Sequence, residues 1–189
     1  MMKRIRRIAL LAFFAASVTC AAARATTLMR MSIKKMAQMA EVVVRARCVA
    51  NAAGWDAGEI WTVTTFQVEE TWKGAPGPFI TVRLLGGRAG NLTSTVDGVP
   101  RFQRGEDVVL FLERSRRGDF SIVSWIQGTF RIRLDRKTSE ESAAQDTAGF
   151  ATYDPETKRF EVSGNRGMRL GALQQQVAMA LSAGDERKP

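Results

Sequence analysis

Val42-Val-Val-Arg-Ala-Arg-Cys-Val-Ala50 and Ile60-Trp-Thr-Val-Thr-Thr-Phe-Gln-Val-Glu-Glu-Thr-Trp72 are the two stretches of sequence that decide the fold. In the first stretch, aliphatic and small residues alternate with Arg45 and Arg47, and Cys48 continues the apolar row. Alternation with a period of two is typical of a half-buried β-strand. The second stretch is rich in Thr, Val, Phe and Trp, which favours a long strand. We therefore expect these two strands to pair.

Shorter strands are predicted downstream, because aliphatic runs alternate with turns rich in glycine and proline. Residues 51–58 are interpreted as a turn or loop, residues 86–107 as irregular, and residues 135–147 as a mobile charged loop. The further predicted strands cover residues 79–85, 108–112, 120–123 and 129–134, and an added β-hairpin joins residues 150–153 to residues 159–162.

Two helices are predicted, one near each end of the chain. Ser32 is suited to cap a short N-terminal helix over residues 33–40. After Gly167, apolar residues recur at helical spacing and predict an amphipathic C-terminal helix, followed by a frayed tail over residues 184–189. These apolar positions are Leu170, Leu173, Val177 and Leu181.

Many short strands with few helices indicate a mainly β fold, either a small antiparallel barrel or a sandwich. The pattern places residues 26–183 in one domain, and Phe66, Trp61 and Trp72 are interpreted as core residues. The single barrel core is expected to contain Val42, Val44, Ala46, Cys48, Phe66, Val68, Val82, Leu84, Val109, Phe111 and Ile122.

Residues 1–25 predict export, because they have the three parts of a secretory signal peptide. Basic residues precede an uncharged run over residues 8–23, which is shorter than the about 20 apolar residues of a membrane-spanning helix. The sequence Ala23-Arg24-Ala25 meets the small-residue rule for signal peptidase. We expect cleavage between Ala25 and Thr26, and a periplasmic or secreted mature chain without a transmembrane segment.

Alternatives stay open for this leader. Cleavage after Ala23 would move the cut by two residues. The pair Arg6-Arg7 raises a twin-arginine route, but the serine expected before it is absent, so ordinary secretion is favoured. A lipoprotein interpretation through Cys20 is weaker, because the residues before it match a lipobox poorly.

Net charge and cysteine content limit the kinds of protein that the mature chain can be. The whole chain carries 28 basic and 19 acidic residues, a formal net charge of +9. Five of the basic residues lie in residues 1–25, which leaves 23 basic against 19 acidic residues and a net charge of +4. This mild excess is not typical of a dedicated nucleic-acid binder. Cys48 has no partner in the mature chain, and its place in the first strand predicts a buried, unreactive side chain.

The sequence contains no pattern that predicts catalysis or a cofactor. The absence of histidine excludes Ser-His and Cys-His nucleophilic sites and His-ligated zinc. Acidic pairs occur at residues 69–70, 106–107 and 140–141. Neighbouring strand residues point to opposite faces, so the first pair is not expected to share a site. The other two pairs are interpreted as solvated charges, and we expect a protein that is not an enzyme and holds no cofactor or metal.

One glycine-rich segment lies among the basic residues. Residues 85–91 lack the Gly-Lys-Ser/Thr of a phosphate-binding loop, so a tight strand-end loop with positive φ angles is favoured over an anion site. Residues 86–104 are nevertheless long for a turn, and long loops often carry function. We expect Arg88 and Arg101 to lie on one exposed rim near Trp125 and to contact a partner.

Arginines throughout the middle of the chain have two interpretations. Arginine beside an aromatic residue is one way in which barrels hold single-stranded nucleic acid or anionic glycans. A solvated outer face is favoured, because acidic residues are interspersed. The arginines concerned are Arg83, Arg88, Arg101, Arg104, Arg114, Arg116, Arg117, Arg131 and Arg133.

Two segments resemble the opening strands of netrin-like domains, and most closely the N-terminal domains of the tissue inhibitors of metalloproteinases. They are Glu-Val-Val-Val-Arg-Ala-Arg at 41–47 and Thr-Phe-Gln-Val-Glu-Glu-Thr-Trp-Lys-Gly at 65–74. Residues 105–112 and 118–122 resemble the paired strands of that family around a glycine-containing turn. The chain also resembles uncharacterised exported bacterial proteins with Val-Arg-Leu-Leu-Gly-Gly and Val-Pro-Arg-Phe-Gln-Arg-Gly-Glu motifs.

The resemblance covers about residues 26–130 and implies an OB-type five-stranded Greek-key barrel. It implies that the N-terminus, Thr26 and Thr27, would contact a target protease. Two departures weaken that implication, because the inhibitors are rich in disulfides and chelate the target's zinc through an N-terminal cysteine. Here the first mature residue would be a threonine.

Two functions follow as expectations. The first is a secreted, non-enzymatic binding module that docks on a protein partner, a metalloprotease among the candidates, through Thr26, Thr27, Arg88, Arg101 and Trp125. The alternative is an extracytoplasmic barrel that binds an anionic polymer, either a glycan or a nucleic acid.

Overall fold

Most of the described chain is β-strand, as the alternating residue patterns predict. The computed structural model describes residues 27–145, 147, 150–161 and 167–185, so the predicted signal peptide and Thr26 lie outside the described residues. The strands are β1 (Thr27–Met29), β2 (Val42–Asp56), β3 (Glu59–Lys73), β4 (Phe79–Leu85), β5 (Gly87–Ala89), β6 (Leu92–Ser94), β7 (Asp107–Arg114), β8 (Phe120–Ile122), β9 (Thr129–Leu134), β10 (Glu141–Gln145), β11 (Ala151–Asp154), β12 (Arg159–Glu161) and β13 (Met168–Arg169). The helices are α1 (Ile33–Met39) and α2 (Leu170–Asp185), and a 3₁₀ turn spans Trp125–Gly128.

The predicted N-terminal helix is confirmed together with its cap. The Oγ of Ser32 accepts a hydrogen bond from the Lys35 N–H at 3.2 Å, which satisfies one of the free amides of the first turn. At the other end of α1, the Lys73 ammonium of β3 donates to the carbonyls of Ala37 and Ala40 at 2.9 and 2.5 Å. This contact ties the helix to the sheet by satisfying carbonyls that have no partner within the helix.

Five strands close a ring in which β2 lies between β3 and β7. β3 pairs with β4 and β7 pairs with β8, while Val82 of β4 lies opposite Phe120 of β8 in a parallel contact. The expected pairing of the two long N-terminal strands is confirmed. The loop interpretation of residues 51–58 is wrong up to Asp56, because β2 and β3 stay in register to a tight turn at Ala57-Gly58.

Further strands extend this sheet beyond β7, in the order β9, β10 and β13. The prediction of a mobile loop over residues 135–147 is therefore wrong for Glu141–Gln145, which pairs with all of β9 except its first residue. A separate sheet joins β1, β11 and β12. Its β11–β12 hairpin confirms the predicted added hairpin, and β1 lies parallel to β11.

Two hydrophobic cores lie on opposite faces of β2 and β7. Because successive strand residues point to opposite faces, Val44 belongs to the ring core and Val43 to the core beneath the helices. The prediction of a single core is thus wrong for Val109 and Phe111, which pack on the helix side, and Val68 is only partly buried. The ring core comprises Val42, Val44, Ala46, Cys48, Phe66, Ile80, Val82, Leu84, Phe102, Val108, Leu110, Leu112, Phe120 and Ile122.

The amphipathic C-terminal helix is confirmed, because α2 buries its predicted stripe on the helix side of the sheet. Leu170, Leu173 and Val177 are buried there, and Leu181 is partly buried. The predicted tail over residues 184–189 is wrong at its first two residues, since α2 continues to Asp185. Residues 186–189 lie outside the described residues.

Candidate binding clefts

A cleft opens where β2, β3 and β4 meet the segment that follows β4, and both Arg88 and Arg101 line it. We call it the arginine cleft. It holds about 350 Å³, and Thr64 at its floor is fully buried. The other lining residues include Asn51, Thr62, Leu84, Leu85 and Phe102. The structure thus brings together two arginines that the sequence predicted to share one rim.

Glycines shape the arginine cleft. β5 and β6 form a short hairpin, so the prediction of an irregular segment is wrong for residues 87–94, while the expected positive φ angles are confirmed. Gly87 has a φ of +140°, and a Cβ there would collide with the Thr62 hydroxyl. A residue with a side chain would push the hairpin away from β3, so glycine is required for this close approach.

The opposite wall of the arginine cleft is held by hydrogen bonds to its backbone. Arg131 donates from Nη2 to the Arg101 carbonyl at 2.8 Å and from Nη1 to Glu106 at 2.7 Å. The Asn51 amide donates to the Phe102 carbonyl at 3.0 Å. These contacts fix the chain at residues 101–102 before any ligand arrives, which lowers the entropy cost of binding.

A second cleft of about 290 Å³, which we call the Trp61 groove, lies at the outer face of β3 and β4. Its lining residues include Trp61, Arg83, Ser115, Arg116, Arg117, Asp119 and Phe120. The Arg83 guanidinium lies 4.3 Å from the centroid of the Trp61 ring, a cation–π distance. The interpretation of Trp61 as a core residue is wrong, because its neighbours on β3 take the inward positions and Trp61 itself is only partly buried.

Two carboxylates, Asp56 and Asp119, offset part of the positive charge of the Trp61 groove. Asp56, at the end of β2, pairs with Arg83, and it also accepts from Arg117 Nη1 at 2.6 Å. The hydrogen bonds from Arg83 and then Arg117 hold the pKa of Asp56 below its ordinary value. No ion pair of Arg116 is present among the described residues, so three arginines face two carboxylates and the groove keeps a small excess of positive charge.

The residues of the Trp61 groove were not selected as a site from the sequence. Trp61 and Arg83 lie 22 positions apart, and the register places Trp61 opposite Leu85 and Arg83 opposite Val63. Alternation alone would put both side chains on the outer face of neighbouring strands. What the sequence could not supply is the approach of residues 115–121, which follow β7, to that face.

Trp125 does not line the arginine cleft. It is 45% exposed at the start of the 3₁₀ turn, and the next residue, Ile126, donates its N–H to the Gly98 carbonyl at 3.1 Å. The turn is therefore attached to the same long segment that carries Arg88 and Arg101. Of the two predicted N-terminal contact residues, Thr27 begins β1 and Thr26 lies outside the described residues.

A buried amide holds the N-terminal segment. The side chain of Gln127 donates to the Met29 carbonyl at 2.8 Å and accepts from the Met31 N–H at 2.9 Å. Gln127 is 4% exposed, so its amide stands in for a neighbouring strand on the edge of β1 that β11 leaves open. The segment that would follow the predicted cleavage site is thus fixed on both edges.

An apolar row crosses the small sheet beside this segment. Met29 is in register with Tyr153, and Tyr153 with Phe160. Met29 and Phe160 are 65% and 68% exposed, and the Tyr153 and Phe160 rings lie 5.1 Å apart. Exposed apolar side chains that lie next to one another are typical of an interaction surface.

An ion-pair cluster joins β2, β3 and β10. Arg45 binds both carboxylate oxygens of Glu141, at 2.9 and 2.6 Å, and its guanidinium also lies within 3.4 Å of Glu69 and 3.3 Å of Glu70. The expectation that residues 69 and 70 cannot share a site is wrong, because a β-bulge leaves Glu69 without a partner in the register. The hydrogen bond to Glu141 raises the pKa of Arg45.

The remaining acidic residues of the predicted pairs are also engaged. Asp107 lies 3.1 Å from Arg47, and burial raises the pKa of Asp107. Together with the Glu106–Arg131 contact, this corrects the interpretation of residues 106–107 as solvated charges. Each carboxylate of the cluster faces an arginine, so these ion pairs connect neighbouring strands.

Cys48 is buried as predicted, and burial raises the pKa of its thiol. Within the described ranges, His, Cys, Asp and Glu residues nowhere group in threes as a metal site requires. Neither helix of the described part of the chain is long and apolar enough to cross a bilayer.

The protein is mainly β, and two of its clefts are each lined by more than one arginine. Comparison with protein-family models and with curated proteins finds no match.

Proposed function

We propose that this protein is an extracytoplasmic, non-enzymatic binding module built on an OB-type barrel. The five-strand ring supports the barrel, because its order β2–β3–β4–β8–β7 returns to β2 and the contact between β4 and β8 is parallel. The OB-fold is a five-stranded, partly open Greek-key barrel, and the ring has the same number of strands. Export rests on the leader, and N-terminal sequencing of the secreted protein would test cleavage before Thr26.

The ligand we propose is an anionic polymer that binds along the Trp61 groove. The observation that carries this proposal is the Arg83 guanidinium at 4.3 Å from the Trp61 ring, next to Arg116 and Arg117. OB-type barrels bind oligonucleotides and oligosaccharides on the outer face of their second and third strands and on the adjacent loops. The Trp61 groove lies on the outer face of β3 and β4, with the Arg83 guanidinium over the Trp61 ring and Arg116 and Arg117 beside it to contact negative charges.

Asp56 should compete with an anionic polymer for the arginines of the Trp61 groove. It occupies two of the arginines that an anion would use, so a bound polymer has to displace it or compete with it. Removing the carboxylate frees both guanidinium groups without removing a positive charge. The Asp56→Asn variant should therefore bind an anionic polymer more tightly than the wild type, whereas Arg83→Ala and Trp61→Ala should bind it more weakly.

The experiment measures affinity for a sulfated glycan and for a single-stranded oligonucleotide over a series of salt concentrations. Electrostatic binding predicts a linear fall of log K with log salt, with a smaller slope in Arg83→Ala. Arg133→Ala is the matched control, because Arg133 is exposed on β9 and outside the groove. Equal binding by Arg83→Ala and Arg133→Ala would contradict the proposal, and the preferred probe would distinguish glycan from nucleic acid.

A protein partner, with metalloproteases among the candidates, is the second function that an observation favours. The exposed row of Met29, Tyr153 and Phe160 lies beside the clamped segment that begins at Thr27. The test compares the chain that starts at Thr26 with a chain extended by one alanine, assayed against secreted metalloproteases. Loss of inhibition on extension would support this function, and the absence of inhibition by either chain would reject it.

A further inference from the structure

We propose that the arginine cleft is a separate site for a small organic anion, a carboxylate or phosphate group carried on an apolar body. This site differs from the Trp61 groove in its lining residues and does not depend on the proposed polymer binding. Its volume of about 350 Å³ falls within the range of about 300–1,000 Å³ that is typical of small-molecule sites.

Charge at the mouth of the cleft points to an anion. Arg88 and Arg101 line it, and none of its lining residues is acidic. Arg88 donates from Nε to the Gly90 carbonyl at 3.3 Å, and Arg101 donates from Nη2 to the Ser94 carbonyl at 2.7 Å. Each guanidinium has five N–H donors, so both keep donors for a ligand while one bond holds them in place.

The floor of the cleft determines what the rest of the ligand can be. Thr64 donates to the Asn51 side-chain oxygen at 2.7 Å, and Thr62 donates to the Gly86 carbonyl at 2.7 Å. Because these hydroxyl donors already have partners, the floor offers a ligand few new hydrogen bonds. The walls add Leu84, Leu85 and Phe102, so a small apolar body fits below a charged group.

The site is also organised before binding. Gly87 lets the β5–β6 hairpin approach Thr62, and Arg131 holds the Arg101 carbonyl from the other side. The hydrogen bond from Arg101 to the Ser94 carbonyl of β6 also joins the wall that carries Arg101 to the hairpin that carries Arg88. A ligand that bridges the two arginines would gain two charge-assisted contacts without ordering either wall.

The experiment titrates amide resonances of the wild-type protein with phenyl phosphate, benzoate and inorganic phosphate. We expect saturable binding of the two aromatic anions, with the largest shifts at Thr62, Thr64 and Arg101, and weaker binding of inorganic phosphate. Arg88→Gln and Arg101→Gln, tested singly and together, should each weaken binding, at least tenfold in the double variant. Arg133→Gln, which removes one charge outside the cleft, should bind as the wild type does.

The proposal is overturned if the double variant binds as tightly as the wild type, if no saturable shift is seen, or if the shifts cluster at residues 115–121. Thermal unfolding of each variant shows whether it is folded. If the double variant is unfolded, the binding of the two single variants decides whether Arg88 and Arg101 contact the anion. A Trp61→Ala variant should lose affinity for the polymer and keep its affinity for the small anion, so failure of one proposal is distinguishable from failure of the other.

Discussion

At the residue scale, Phe111 is a sharp test of the second core. It is fully buried on the helix side of β7, with its ring 5.7 Å from that of Phe130. Truncation to alanine leaves a cavity beneath the helices and should lower the free energy of unfolding by roughly 3–5 kcal/mol. Phe79→Ala is the matched control, because Phe79 is 57% exposed, and it should change stability by about 0.5 kcal/mol or less. Denaturant unfolding of both variants measures the difference.

Asp107 and Asp56 have pKa values that are shifted in opposite directions, so they predict opposite effects of pH on stability. The Asp107 carboxyl has a raised pKa because of burial, so the folded state binds its proton more tightly than the unfolded state. Its contribution to stability therefore falls as pH rises through the interval above the ordinary aspartate pKa. Asp56 has a lowered pKa because of Arg83 and Arg117, so its contribution is present above the ordinary pKa and is lost as pH falls through the folded value.

Asparagine at either position removes the titration. The quantity to compare is the free energy of unfolding of the variant minus that of the wild type. For Asp107→Asn this difference should be more positive at pH 7 than at pH 3. For Asp56→Asn it should be more negative at pH 7 than at pH 3. Urea unfolding at a series of pH values measures both differences. Differences of the same sign for the two variants would contradict the assignment of burial to Asp107 and ion pairing to Asp56.

At the scale of elements, one side chain from a distant part of the chain, Gln127, holds the edge of the N-terminal segment that β11 does not pair with. Gln127→Ala removes the hydrogen bonds to the backbone of Met29, the last residue of β1, and of Met31, which follows it. Loss of buried backbone partners should cost roughly 2–4 kcal/mol, and it should expose β1 before the rest of the molecule unfolds. Hydrogen exchange of the Met31 amide should accelerate strongly, while that of Val44 in the ring core should change only with global stability. Equal acceleration at both sites would show that the amide is not a local clamp.

The same scale shows what the sequence could and could not predict. The long strands, the capped helix, the added hairpin and α2 follow from alternation, capping and helical spacing, which act within one segment. β10 was missed because Glu141–Gln145 carries no apolar alternation, and its pairing is held by β9 and by the Glu141–Arg45 ion pair. The strand over residues 51–56 is not predicted because asparagine, alanine, glycine and aspartate are uncommon in strands, whereas the long partner strand imposes the extended conformation.

The candidate sites divide in the same way. Arg88 and Arg101 were predicted to share a rim from the length and glycine content of one segment, and the structure places them in one cleft. The Trp61 groove joins residues from distant segments, and so do the hydrogen bonds between the Gln127 side chain and the N-terminal segment. No local sequence pattern therefore predicts either of them. Long-range register is the information that a single sequence carries least.

At the scale of the whole molecule, the two cores are built on the same two strands. Alternate residues of β2 and β7 serve the ring core and the helix-side core, so Val43 and Val44 are neighbours in the chain and belong to different cores. Neither core can lose its strands while the other stays intact. The ring and the two helices should therefore unfold as one cooperative unit, although they occupy different faces of the sheet.

Variants in one core should consequently weaken the other. Phe66→Ala acts inside the ring and Leu173→Ala acts on α2, and each removes a fully buried side chain. Because β2 and β7 transmit the loss, Phe66→Ala should lower the hydrogen-exchange protection of α2 amides by the same free energy as that of ring amides, and Leu173→Ala should do the same in reverse. Each variant should keep a single denaturant transition with an unchanged slope. A biphasic transition, or protection lost on only one face of the sheet, would show instead that the ring is an independent unit to which the helices are attached.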